Sequence, residues 1–260
     1  MKIAIFLPNW LGDVAMATSA LRAIRQHFDG QTRIVGIMRP YLADVLRGTD
    51  WLDEQWFFDP RSKDPSLRAA GLVQKMRAEA FDMAVLMTNS LRTAWTAWRG
   101  RATQRIGYVR YGRGPLLTGK LYPRRVGRHI EPMPMVDSYL ELARVVGCKD
   151  LSQQLELTTV DGDERSADEV FSRLGLRNDR QVIALNSSGA YGGSKLWPVE
   201  YFAELAGRIV RELDHDVLVM CGPKERDIAR EIVKQTNCGH VVSMADQPMD
   251  LGTAKACIRR

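Results

Sequence analysis

The chain opens with Lys2-Ile3-Ala4-Ile5-Phe6-Leu7-Pro8-Asn9-Trp10-Leu11-Gly12-Asp13-Val14, and its architecture can be worked out from this segment. Ile3 to Leu7 is a continuous apolar run, the pattern of a strand buried on both faces. From Val14 onward, Ala17, Ala20, Leu21, Ile24 and Phe28 recur at helical spacing. The segment therefore reads as strand, tight loop and helix, the first step of an α/β fold. In open α/β sheets, ligands bind where such loops leave the carboxyl ends of strands. Gly12 allows the backbone to turn there, and Asp13 stands where chemistry is expected. Two readings fit Asp13. It is a helix N-cap, or it is a general base in a cleft. The two are compatible, because the positive end of a helix keeps a carboxylate ionised.

The same alternation continues. Strands are expected at 32–38, 55–58, 81–87, 182–186, 216–221 and 241–244. Helices are expected at 41–46, 67–80, 91–98, 135–146, 167–174, 197–213 and 228–235, with a last one from Met249 to the end. Strands alternating with helices imply parallel sheets joined by right-handed crossovers. Residues 151–160 read as an edge strand and linker, placing a domain boundary near Glu156. The expected domains are 1–156 and 157–260.

At 260 residues the chain can bury two cores. Its net charge of +6 points to an anionic partner. The charge is concentrated: no Asp or Glu occurs from Met83 to Ile130, where Arg92, Arg99, Arg101, Arg105, Arg110, Arg113, Lys120, Arg124, Arg125 and Arg128 lie. Glycines and prolines interrupt this run, which reads as loops. Nucleic acid, an anionic membrane surface and a phosphorylated or carboxylated glycan each fit such a surface. No nucleic-acid motif accompanies it. Met133 and Met135 read as core gap-fillers. The cysteines, Cys148, Cys221, Cys238 and Cys257, form no C-x-x-C pair, so reduced thiols are expected. No apolar run approaches the ~20 residues of a membrane span, and the start lacks a signal-peptide pattern.

In the second half, Asn186 is followed by Ser187-Ser188-Gly189-Ala190-Tyr191-Gly192-Gly193-Ser194-Lys195. Small residues let backbone N–H groups approach phosphate oxygens, serine hydroxyls can donate, and Lys195 adds a positive charge. The loop is not a P-loop. Asp161-Gly162-Asp163 and Asp214-His215-Asp216 are D-x-D pairs, read here as turn chemistry rather than a metal site. No cofactor is expected.

Pro8 to Thr18 resembles the amino-terminal motif of the lipopolysaccharide heptosyltransferases, glycosyltransferase family 9, with the heptosyltransferase II branch nearest. Met87 to Ser90, Arg105 to Tyr108, and Arg110 to Gly112 resemble segments lining that branch's acceptor side. Ser187-Ser188 with Lys195-Leu196-Trp197-Pro198 resembles the family's donor-phosphate loop. The resemblance implies a GT-B fold, with two Rossmann-like domains facing a cleft. It implies an inverting transfer of heptose from ADP-heptose to an anionic lipid A–Kdo–heptose acceptor, with Asp13 as catalytic base. By the same comparison Ser187, Ser188, Lys195, Glu225 and Met249 bind the donor, Glu225 at the ribose and Met249 at adenine. Trp10, Asn89, Arg92, Arg110, Arg113 and Arg128 serve the acceptor. The chain would work in the cytoplasm, in peripheral contact with the inner membrane face, and nucleic acid is not a partner. Glu225 also reads as a helix cap, and Met249 as core. Two other functions stay open: a non-catalytic basic module for nucleic acid or anionic lipid, and a GT-B transferase using another nucleotide sugar. Family members carry a further strand and an Asp-Ser/Thr-Gly-x-x-His loop, and this chain has neither Asp-Ser-Gly nor Asp-Thr-Gly. The resemblance thus implies a truncated member with an incomplete second domain, its activity put in question by the missing loop.

Overall fold

The computed structural model describes residues 1–28, 30–176, 179–187, 197–248 and 250–260. The chain divides into two compact units, Met1–Thr158 and Thr159–Arg260.

The first unit holds a six-stranded parallel sheet. Its strands are β1 (Lys2–Phe6), β2 (Arg33–Met38), β3 (Glu54–Phe57), β4 (Met83–Leu86), β5 (Gln104–Tyr108) and β6 (Gly119–Leu121), in the spatial order β3-β2-β1-β4-β5-β6. The helices are α1 (Leu11–His27), α2 (Ala69–Glu79), α3 (Leu91–Arg99) and α4 (Met135–Val145). A small antiparallel hairpin, β7 (Arg125–Val126) with β8 (His129–Ile130), precedes α4.

Because side chains alternate across a strand, Ala4 and Phe6 face one side of the sheet. There they join Val35, Ile37, Ala84 and Leu86 under Leu72 and Met76 of α2 and Ala94 and Ala97 of α3. Ile3 and Ile5, also fully buried, turn to the other side. α1 packs against α4, burying Leu21, Ile24, Leu142 and Ala143. The strand order runs outward from β1 in one direction and from β4 in the other, so β1 and β4 flank the topological switch point. Phe6 lies opposite Leu86, and Met87 N donates to Phe6 O at 3.0 Å. Loops leaving β1 and β4 diverge there and open a crevice.

The second unit has a three-stranded parallel sheet of β9 (Val182–Asn186), β10 (Asp216–Met220) and β11 (Val241–Ser243), in the order β11-β10-β9. Its helices are α5 (Asp161–Arg173), α6 (Val199–Leu213), α7 (Arg226–Thr236) and α8 (Leu251–Arg259). β10 is buried along its whole length, and Val217 to Met220 centre a core with Ala206, Ile209, Ala229, Ile232 and Ala256.

Three expectations are corrected. Residues 151–160 make no strand. The segment is strapped to α1 instead: Glu156 N donates to Thr18 Oγ1 at 3.1 Å, and Arg22 pairs with Glu156 at 2.7 Å. The arginine-rich run is not all loop, because Gly107 and Gly119 lie within β5 and β6. Residues 161–166, left out of the expected helix, form the first turns of α5, where Asp163 Oδ2 accepts from Val160 N. The other D-x-D pair is also structural. Asp214 ends α6 in the left-handed conformation (φ 54°) and pairs with Arg180 at 2.6 Å, while buried Asp216 meets His240 Nδ1 at 2.9 Å.

Candidate active site

The crevice at the switch point is a cavity of about 460 Å³. Asn9, Trp10 and Asp13 line it from the loop and helix after β1. Asn89 and Ser90 line it from the loop after β4, and Tyr139 from α4. Of the residues singled out in the sequence, it brings together Asp13, Trp10 and Asn89.

α1 begins earlier than periodicity suggested, at Leu11. Trp10 is its extended N-cap (φ −119°, ψ 144°), with its carbonyl accepting from Val14 N at 3.0 Å. Asp13 therefore sits inside the first helical turn and is not the cap. Its carboxylate lies near the positive end of the helix, which favours the ionised form. Partial burial disfavours it and wins, raising the Asp13 carboxyl above the ordinary carboxylate range. Tyr139 is 2% exposed, and burial together with the Asp13 charge pushes its phenol up, so it is neutral. Asp13 and Tyr139 line the same cavity, and a half-buried carboxylate of raised proton affinity open to it can take the proton of a bound hydroxyl.

The floor of the cavity is held from behind. Ser90 caps α3, its Oγ accepting from Thr93 N at 3.1 Å. Arg113, expected to touch an acceptor, has a fully buried side chain. Its Nε donates to Tyr108 O at 2.7 Å, its Nη1 to Thr88 O, and its Nη2 to Asn89 Oδ1 at 3.0 Å. Arg113 is corrected to a residue that positions Asn89, because its donors already meet internal acceptors. Arg105 is likewise turned inward, to Leu116 O at 2.7 Å.

A second cavity, of about 330 Å³, shares Met87, Asn89, Met135 and Tyr139 with the first. Arg110 and Arg124 line it. Met133 and Met135 line it too, rather than filling core, and Met135 is exposed. Arg92 is exposed in the first turn of α3, and Arg128 is exposed in the turn between β7 and β8; neither lines either cavity. Tyr111, which carries a left-handed φ of 49°, lies in the 110–112 segment expected on the acceptor side and lines the first cavity; Tyr139 was not expected in the site. Tyr139 fell only within the helix expected at 135–146, because a helical range does not show which of its members ends at a cavity.

In the second unit, Ser187 is buried and its Oγ donates to Met220 O at 3.2 Å. This corrects the expectation that its hydroxyl is offered to a phosphate. Glu225 occupies the N-cap position of α7 but makes no side-chain cap bond. Its Oε2 lies back over Gly222, 2.6 Å from where a Cβ would stand. Glu225 is thus at the carboxyl end of β10, where nucleotides bind in such sheets. Ser188, Lys195 and Met249 lie outside the described residues. Among the described residues no group of His, Cys, Asp and Glu is arranged to hold a metal.

The sequence profile of glycosyltransferase family 9 (heptosyltransferase) matches residues 69–259. The chain belongs to glycosyltransferase family 9. Lipopolysaccharide heptosyltransferase 2 of Salmonella typhimurium is 26% identical over 247 residues, covering 91% of this chain and 68% of the relative. The Escherichia coli K12 protein of the same name is 25% identical with the same coverage. The family 9 chain thus spans about two-thirds of the length of these relatives. Among solved structures, a family 9 glycosyl transferase from Veillonella parvula superposes with a TM-score of 0.82 at 23% identity, over 99% of this chain and 72% of that one. The E. coli ADP-heptose LPS heptosyltransferase II superposes at 0.77 and 21% identity, over 99% of this chain and 76% of that one. The fold is that of the GT-B glycosyltransferases, with two Rossmann-like units.

Proposed function

We propose that this family 9 glycosyltransferase moves heptose from ADP-heptose to the inner core of lipopolysaccharide, with inversion at the anomeric carbon. The observation that carries the reading is Asp13, whose half-buried carboxylate opens into the switch-point cavity with its proton affinity raised. Asp13 takes the proton of the acceptor hydroxyl as that oxygen attacks the anomeric carbon. The bond from that carbon to the diphosphate breaks, and ADP departs. General-base help of this kind gives ~10²–10⁴-fold. The first unit serves the acceptor, with Trp10 and Asn89 beside Asp13 and Arg110 on the adjoining cavity wall; Arg92 and Arg128 supply charge at the surface for its anionic groups. The second unit serves the donor, with Glu225 at the ribose, Met249 at adenine, and Ser188 and Lys195 at the leaving diphosphate. The acceptor is a lipid-linked glycan met at the inner membrane face. Among the described residues no helix is long and apolar enough to cross a membrane.

The test is transfer from ADP-heptose to a heptose-bearing core acceptor, with ADP affinity measured alongside. Asp13→Asn keeps ADP affinity and loses transfer by ~10²-fold or more. Absence of transfer by the unaltered chain, or an Asp13→Asn chain as active as the original, overturns the proposal.

A further inference from the structure

α3 is turned inside out for a helix on a soluble surface. Its buried residues are small or hydroxylic: Thr93, Ala94, Thr96 and Ala97. The threonines do not lack partners, since Thr96 Oγ1 donates to Arg92 O at 2.9 Å and Thr93 Oγ1 to Ser90 O at 2.9 Å. The large apolar side chains face water instead, with Leu91 at 51%, Trp95 at 42% and Trp98 at 47% exposure. Positions i, i+4 and i+7 stand on one helix face. A contiguous exposed apolar patch marks an interaction surface.

We infer that this outer face of α3 is a docking surface for an anionic phospholipid bilayer. Charge points to that occupant. Arg92 and Arg99 flank the patch, and the Arg99 guanidinium lies 5.6 Å from the Trp95 ring centroid. No acidic residue occurs from Met83 to Ile130, so nothing within that run repels phosphate. Tryptophan and leucine bordered by arginine are what an interfacial helix presents. The indole settles at the headgroup level, the apolar edge enters the acyl boundary, and the guanidinium meets phosphate. A second copy of the chain fits less well. Three half-exposed side chains offer roughly 300 Å², against the ~800 Å² per partner of a stable protein interface. The patch also adjoins the site, because Ser90, the cap of α3, lines the Asp13 cavity. The purpose, bringing a lipid-linked acceptor to Asp13, rests on the proposed function; the binding does not.

The experiment is co-sedimentation with vesicles, without sugar nucleotide, so that failure of the transferase reading leaves the result untouched. One set is phosphatidylethanolamine with phosphatidylglycerol, the other phosphatidylcholine alone. The chain should bind the anionic vesicles, more weakly as salt rises, and leave the neutral ones largely unbound. Trp95→Ala/Trp98→Ala should weaken binding about tenfold or more, with folding of the variant checked by its circular dichroism and thermal transition, and the milder Trp95→Gln/Trp98→Gln should weaken it in the same direction. Arg92→Gln/Arg99→Gln should weaken binding about tenfold at low salt and flatten the salt dependence. Three results overturn the inference: no binding to anionic vesicles, tryptophan and arginine variants that bind like the original, or a dimer that the tryptophan variant dissolves while vesicle binding is absent.

Discussion

Arg113 and Asn89 meet behind the Asp13 cavity, Nη2 of the guanidinium donating to Oδ1 of the amide at 3.0 Å. The same guanidinium holds the carbonyls of Thr88 and Tyr108, and so ties the ends of β4 and β5 together. Burial, with the Arg110 charge, pushes Arg113 down to about 10. A guanidinium has no acceptor, so Asn89 must turn its oxygen inward and its NH₂ toward the cavity. Gly107 makes room, since a Cβ there would lie 2.9 Å from Arg113 Nη2 and 3.3 Å from Leu86 Cβ.

Replacing Arg113 with Met should leave buried acceptors unpaired and cost on the order of 3 kcal/mol of stability. Urea unfolding would show it as a lower midpoint. Arg110→Met, at a residue only half-buried, should move the midpoint by less than about 1 kcal/mol.

The raised carboxyl of Asp13 has a consequence for stability. The folded state holds this proton more tightly than the unfolded state. Its contribution is therefore fully present below the unfolded pKa and is lost as pH rises through the folded one. At neutral pH the buried charge is a cost. Asp13→Asn should melt higher than the original chain near pH 7, with the gap closing toward pH values below the ordinary carboxylate range, while transfer falls by ~10²-fold or more. Calorimetry across pH checks the first part.

Ser187→Ala should act on the fold rather than on the donor. The hydroxyl it removes is bonded to Met220 O inside the second unit, and the loss is about 1 kcal/mol. ADP affinity, measured by titration calorimetry, should stay within about twofold.

Gly222→Ala should do the reverse. The methyl meets only Glu225 Oε2, the far end of a flexible side chain, so the chain folds and the carboxylate swings away. ADP affinity should drop about tenfold or more, the scale of one hydrogen bond to a charged group, with the melting temperature nearly unchanged.

The alternation of β and α elements was legible because it is written in neighbouring residues. The run from Ile3 to Leu7 and the stripe from Ala17 to Ile24 are local patterns. The start of α1 was misplaced because Leu11 and Gly12 carry no periodic signal, and the first turn is set by Trp10 adopting an extended backbone. β5 and β6 went unread because glycines that break a loop in sequence serve, in a sheet, to admit Arg113 and Ile106 side chains. The arginine run looked uniform because a charge count treats every guanidinium alike.

From residue order alone, the α/β class, the basic and acid-free region and the placing of Asp13 after the first strand could be derived, since each depends on residues adjacent in the chain. The folded molecule settled which arginine meets water and which holds the sheet together, that Tyr139 shares a cavity with Asp13, and that α3 turns Ala94 and Ala97 inward and Trp95 and Trp98 outward. Those outcomes come from desolvation and close packing between residues far apart in sequence: a strand pair accepts an alanine face at contact distance and leaves no volume for an indole.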